Sequence, residues 1–242
     1  MLPWNAKDLT FDETRFRGKV RLFPLPDLVM FPHVMQPLNI FEPRYVQMLS
    51  EALDSDGLMA MSVLVSDPDE NDQDQPTVHP YACLVRVVTH ERQDNGHYHV
   101  LSLGMRRVRI EKELQPQRSF REAEVKLLDD FCLTENDADR VVLQTALTQR
   151  FQECLSDKQS THPAMGEMLA TEIPLSVLTD LVSFAMPLPL ETKCELLSEN
   201  DVDRRAWILL EALDRLPTAN PRGESSAPRR SPGGYLPPFS EN

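Results

Sequence analysis

The chain has 242 residues, 41% of them hydrophobic and 26% charged, with a formal net charge of −13. A chain of this length buries roughly 70% of its unfolded surface, enough for a substantial core, and no apolar run approaches the roughly 20 residues that a bilayer span requires. Without such a run a membrane is not expected as a partner, and the acidic balance opposes phosphate backbones, so nucleic acid is not expected either; no basic cluster and apolar stretch open the chain, which makes the cytoplasm the expected compartment.

Residues 1–18 are polar and aperiodic and read as an amino-terminal arm. Val20 and Leu22 alternate with Arg21 and start a strand. From Phe23 to Tyr45 five prolines (Pro24, Pro26, Pro32, Pro37 and Pro43) lie among apolar side chains. Proline fixes its own dihedral and pushes the preceding residue towards extended geometry, so this stretch predicts short strands separated by fixed corners. Pro43 suits the first turn of a helix carrying Tyr45, Met48, Leu49, Ala52 and Leu53, with Gly57 as its terminator. Leu58 to Val65 reads as a buried strand.

Ser66 to Gln75 holds four aspartates, one glutamate and no base, which predicts a solvated loop. Ala82 to Val88 alternates, Asn95-Gly96 signals a type I′ hairpin, and His97 to Leu103 returns. Val108 and Ile110, then Arg121 to Leu128, supply further strands. Thr134 with Asp137 resembles a capping box ahead of a helical stripe of Leu143, Leu147, Phe151, Cys154 and Leu155. Pro174 opens a helix that Pro187 ends, Leu190 to Leu197 forms another, and Val202, Ala206, Leu209, Leu210 and Leu213 mark the last. Residues 217–242 are dominated by Pro, Gly and Ser and read as a disordered tail.

Sites of familiar chemistry are not expected. Cys83, Cys132, Cys154 and Cys194 lie 22 to 49 residues apart, without the close pairs of zinc sites. They read as reduced thiols. His90-Glu91 lacks the second histidine of a metalloprotease helix, and His97 and His99 share a strand face but need a third ligand. Glu122 and Glu124 read as a solvated face. No metal site, cofactor or catalytic residue is expected. The methionines Met30, Met35, Met48, Met59 and Met61 read first as core, with adaptable contact to apolar partners as the alternative.

The Phe23–Tyr45 segment, Phe-Pro-Leu-Pro-Asp-Leu-Val-Met-Phe-Pro-His-Val-Met-Gln-Pro-Leu-Asn-Ile-Phe-Glu-Pro-Arg-Tyr, resembles the opening of the LON domain, the amino-terminal domain of Lon proteases, which also occurs alone and in fusions such as cereblon. Cys83 to Ile110, Phe120 to Asp130 and Leu178 to Leu197 resemble later blocks of that family, so the likeness spans about residues 19 to 216. Tyr81-Ala82 departs from it, since the family often has a glycine shortly before the hairpin strand.

The resemblance implies an α+β fold: a small β-barrel-like (pseudo-barrel) subdomain with one helix over 19–130, then a helical bundle over 131–216. It also implies a substrate- or partner-binding role. The ATPase and serine-lysine peptidase modules of Lon have no counterpart: no Gly-x-x-x-x-Gly-Lys-Ser/Thr occurs, and no lysine follows Lys193. The expectation is therefore a non-enzymatic module that binds exposed apolar segments of unfolded or client proteins, with Leu28, Met30, Val34, Met35 and Tyr45 as candidate contacts. Core packing is the competing reading for all five. The alternative function is a regulatory or targeting subunit that docks on a separate ATP-dependent protease, using the acidic loop and the helical face.

Overall fold

The computed structural model describes residues 11–65, 76–115, 117–133, 137–156 and 173–216. Six strands form one mixed sheet: β1 (Lys19–Leu25), β2 (Met35–Ile40), β3 (Leu58–Val65), β4 (Thr77–Arg92), β5 (Tyr98–Glu113) and β6 (Glu122–Leu128). β1 runs parallel to β3 and antiparallel to β6, and β4 and β5 form a long antiparallel hairpin. Because β5 pairs with β6 through its second half, the pairings close a ring β1–β3–β4–β5–β6, with β2 attached to the first half of β5.

Period-two alternation divides the strand side chains between two cores. Leu22, Leu58, Ala60, Ala82, Leu84, Val108 and Ala123, contributed by all five ring strands, make one buried cluster. Their neighbours Phe23, Met59, Met61, Cys83 and Val85 join the other, which also holds the helices. The alanines on the first face suit the cramped interior of a narrow ring.

The hairpin lies where Asn95-Gly96 placed it, but its turn is of another type. Asn95 keeps a negative φ, Gly96 sits at φ 84°, and the Gly96 amide donates to the Gln93 carbonyl while the Gln93 amide donates to that of His97. That is a type I turn followed by a left-handed glycine, a three-residue loop in place of the expected two-residue one. Asn95 Oδ1 accepts from the His97 amide at 3.0 Å, a local bond that settles the choice. The strands expected near 100 and 108 are one continuous β5, kept in phase by a bulge where Leu84 pairs with Arg106 and Val85 with Gly104.

Five helices follow the sequence signals among the described residues: α1 (Pro43–Leu53), α2 (Asp137–Ser156), α3 (Leu175–Ala185), α4 (Leu190–Ser198) and α5 (Val202–Asp214). Pro43 opens α1, and the Gly57 amide, at φ 69°, returns to the Ala52 carbonyl at 2.8 Å. Leu143, Leu147 and Phe151 of α2, Leu178 and Val182 of α3, and Ala206, Leu209 and Leu213 of α5 are buried in the same cluster as α1 and the outer face of the sheet. The helices after residue 131 thus share a core with the strands. The acidic loop at 66–75, the capping box at Thr134 and the tail at 217–242 lie outside the described residues.

Candidate functional site

Beside the shared apolar core, a buried ion cluster links α3 and α5 to the sheet. Arg107 of β5 and Asp180 of α3 pair face to face, and Arg107 Nε also donates to the Leu197 carbonyl at 3.1 Å. Arg205 of α5 donates to Asp130 Oδ2 at 2.6 Å, to the Glu199 carbonyl at 2.8 Å and to Thr179 Oγ1 at 3.0 Å. Burial alone would push the Asp180 carboxyl up, but the charge of Arg107, the hydrogen bond to His33 and the charge of Arg205 outweigh it and hold the group below the usual carboxylate range. With Arg205 pinned inward, the residue two positions on is turned by about 200° around α5 and must face out. That residue is Trp207, which is 61% exposed.

The proline-rich segment has the opposite fate. Met30, Val34 and Tyr45 are buried, with Tyr45 packed edge-on against Phe23 at 4.7 Å between ring centroids, so these three candidate contacts present almost no surface. Leu28 is half-buried against the same cluster, and of the five only Met35, 41% exposed, stands clear. The reason is tight apposition to β5. A Cβ built on Gly104 would lie 2.0 Å from the Phe31 carbonyl oxygen, and His33, at φ 65°, is held by its amide to the Gly104 carbonyl at 2.9 Å and by Nδ1 to Asp180 Oδ2 at 3.1 Å. Met48, Met59 and Met61 are likewise buried.

Nor does the edge of β2 offer a place for an added strand. The Gly104 amide donates to the Val34 carbonyl, which puts Gln36, Leu38 and Ile40 in the bonded positions facing β5 and turns the backbone of Met35, Pro37 and Asn39 outward. Pro37 has no N–H to give, and its carbonyl already accepts from Gln36 Nε2 at 2.9 Å. A proline at this position is a guard against edge pairing.

An apolar groove does open between α2 and α5. Val142, Leu143 and Ala146 of α2 face Trp207 and Leu210 of α5 across about 250 Å³, with Asp139, Arg140 and Asp203 among its lining residues. Val141 and Val142 are 63% and 68% exposed. The exposed Phe131 extends apolar surface towards the start of α5, where its carbonyl accepts from the Val202 amide at 2.9 Å. Large apolar side chains at helical spacing on two neighbouring helices, left open to water around a tryptophan, make the kind of surface that partners cover.

The chain's sequence and fold both match a known family. Residues 19–215 match the family described as the ATP-dependent protease La (LON) substrate-binding domain. The chain belongs to that family. Among curated relatives, the Lon protease of Escherichia coli (strain K12) is 24% identical over 204 residues, covering 82% of this chain and 25% of that protein. Lon protease 2 of Desulfotalea psychrophila is 24% identical over 202 residues, covering 80% and 24%. This LON domain therefore spans about a quarter of the length of these relatives. Of solved structures, the N-terminal domain of Mycobacterium avium complex Lon protease superposes with a TM-score of 0.66 at 15% identity, covering 81% of this chain and 98% of that one. A Lon N-terminal domain protein from Xanthomonas campestris gives 0.57 at 19% identity, covering 82% and 99%. These two likenesses concern the fold alone.

Among the described residues no three His, Cys, Asp or Glu side chains converge. His97 closes the hairpin loop one residue before β5 begins, and His90-Glu91 is in β4, not on a helix. Glu122 pairs with Lys19 at 3.1 Å and Arg118 at 3.2 Å. Burial pushes the Cys83 thiol up, which leaves it protonated and inert. Leu143 and Leu210 of the groove lie on the helical stripes read in the sequence, whereas the exposed apolar residues around them do not. Val141, Val142 and Trp207 are apolar residues off the stripe of their helices, and that displacement is the signal that could have found them.

Proposed function

We propose that this LON domain is a non-enzymatic protein-binding module that holds exposed apolar segments of client proteins, in a protein quality-control role in the cytoplasm. The observation that carries the reading is the open apolar groove of α2 and α5 around Trp207. Membership of a family described by substrate binding supports it, as does the location of the likeness, confined to about a quarter of each relative. A groove fixed to a rigid core binds with less ordering cost than a mobile surface, and the Arg107–Asp180–Arg205 cluster provides that rigidity. An exposed Cys132 without a disulfide suits a reducing compartment.

The test is titration of the purified chain with reduced, unfolded casein by calorimetry, beside suppression of the aggregation of a destabilised reporter. Saturable binding and slower aggregation are expected. Absence of both would remove the proposal, and hydrolysis of ATP or of peptide bonds by the chain alone would remove its non-enzymatic part.

A further inference from the structure

We infer that the groove between α2 and α5 takes a segment of another protein in which an apolar side chain is flanked by lysine or arginine, the apolar group packing against Trp207 and the cation lying towards Asp203. This rests on the protein-binding reading and specifies its ligand.

Asp203 is the group that argues for it. Its side chain is only 10% exposed, yet it lines the groove. Oδ1 accepts from Arg140 Nε at 3.2 Å. Oδ2 is buried and, among the described residues, has no hydrogen-bond donor. A buried carboxylate with one oxygen unanswered is costly, and a donor or cation brought close to it recovers part of that cost. Asp139 lines the groove as well, so among its described lining residues two carboxylates stand beside one guanidinium, that of Arg140. Beyond them lies a chain of net charge −13, which attracts basic segments and repels acidic ones over the range of the Debye length. The remaining lining is apolar, and the exposed Trp207 can take an aliphatic or aromatic side chain or the stem of a lysine or arginine.

The two parts make separable contributions. Trp207 supplies contact area and so affinity, while Asp203 and Asp139 supply the choice between a basic and an acidic flank. Apolar burial is indifferent to charge, and a bare apolar trough would accept either flank equally.

Three fluorescein-labelled synthetic peptides test this by anisotropy: one alternating leucine and lysine, one with each lysine replaced by glutamate, and one keeping the lysines with serine for leucine. The leucine-lysine peptide is expected to bind the full chain at least about tenfold more tightly than either control, with the preference over glutamate shrinking as salt is raised. Trp207→Ala is expected to weaken the leucine-lysine peptide by about 30-fold, as loss of a central tryptophan does at protein interfaces. Asp203→Asn keeps the shape of the side chain, so it narrows the lysine-to-glutamate ratio towards one while apolar binding persists; melting curves equal to that of the parent verify that both variants are folded.

Equal binding of the lysine and glutamate peptides would overturn the inference, as would unchanged binding by Trp207→Ala. So would sedimentation showing that the chain alone dimerises through Trp207, since a second copy would then fill the groove, or a large gain in peptide affinity on removing residues 217–242, since the chain's own tail would. If casein still binds while the peptides show no preference, the protein-binding reading survives and only this ligand assignment fails. If neither casein nor any peptide binds, both fall.

Discussion

The proline-braced segment at 23–45 and the α2–α5 groove are both apolar, and they lie on opposite sides of the division between core and surface. In the first, the side chains of Met30, Val34 and Tyr45 are sealed against the sheet and helices. In the second, Val142 and Trp207 face water across a rigid trough. Proline stiffness served packing: it shaped a loop to fit against Gly104, whose lack of a side chain admits the Phe31 carbonyl. Binding surface arose instead where regular helices carry apolar residues beyond what their stripes need. Rigidity and greasiness in one segment are thus marks of a core at least as much as of a platform.

The sharpest way to break this contrast is to remove what holds the two regions together. Asp180→Ala takes the close counter-charge from the buried Arg107 and leaves Asp130, 3.4 Å from Arg107 and 2.6 Å from Arg205, to serve both guanidiniums, which should cost about 3–5 kcal/mol in urea unfolding and loosen α3 and α5 from the sheet. The same carboxylate gives a pH dependence of known sign. Its folded-state pKa is depressed, so its contribution is present above the ordinary carboxylate value, near about 3.9, and is lost as pH falls from there through the lower folded value. The stability gap between the parent and Asp180→Asn should therefore be constant near neutrality and shrink below about pH 4. A gap that grows on acidification would contradict the ion-cluster assignment.

Next in size, Met30→Ala should cost about 2–5 kcal/mol, the range for emptying a fully buried site. A loss under about 0.5 kcal/mol, the range for a surface residue, would return Met30 to the list of contacts. Gly104→Ala probes the same wall from the other side. Its methyl group meets backbone, not a flexible side-chain end, so a cost of at least about 1–3 kcal/mol is expected, with hydrogen exchange raised first in residues 31–34.

How much of this was legible depended on distance along the chain. Pro43 at the head of α1, the corner at Asn95-Gly96 and the start of α3 after Pro174 are each decided within a few residues. The continuity of β5 through Gly104 was not legible, because a glycine within an alternating run signals a break as readily as a bulge. Arg107 and Asp180 meet across 73 positions, and nothing local to either announces the other. The five candidate contacts failed to gather on one surface for a related reason: apolar composition says that a segment is covered, but only tertiary packing says whether its own chain or another supplies the cover. The groove was half-legible, since the off-stripe positions of Val142 and Trp207 follow from periodicity while the adjacency of α2 and α5 does not.

The smallest effect on stability is expected where the effect on binding is largest. Trp207 is pinned outward by Arg205 two residues earlier and contributes little to the buried cluster, so Trp207→Ala should change the unfolding free energy by no more than about 0.5 kcal/mol, while binding of unfolded casein should fall by about tenfold or more. Tyr45→Ala, at a residue the sequence leaves open between contact and core, should reverse the pattern, with a large loss of stability and no specific loss of affinity in the fraction that remains folded. Measuring both variants by urea unfolding and by calorimetry places each region on two independent axes. If Trp207→Ala destabilises as much as Tyr45→Ala, the indole is part of the core and the groove is a packing defect; if it leaves casein binding unchanged, the clients are held elsewhere, with the exposed Met35 and Phe41 beside β2 as the next surface to alter.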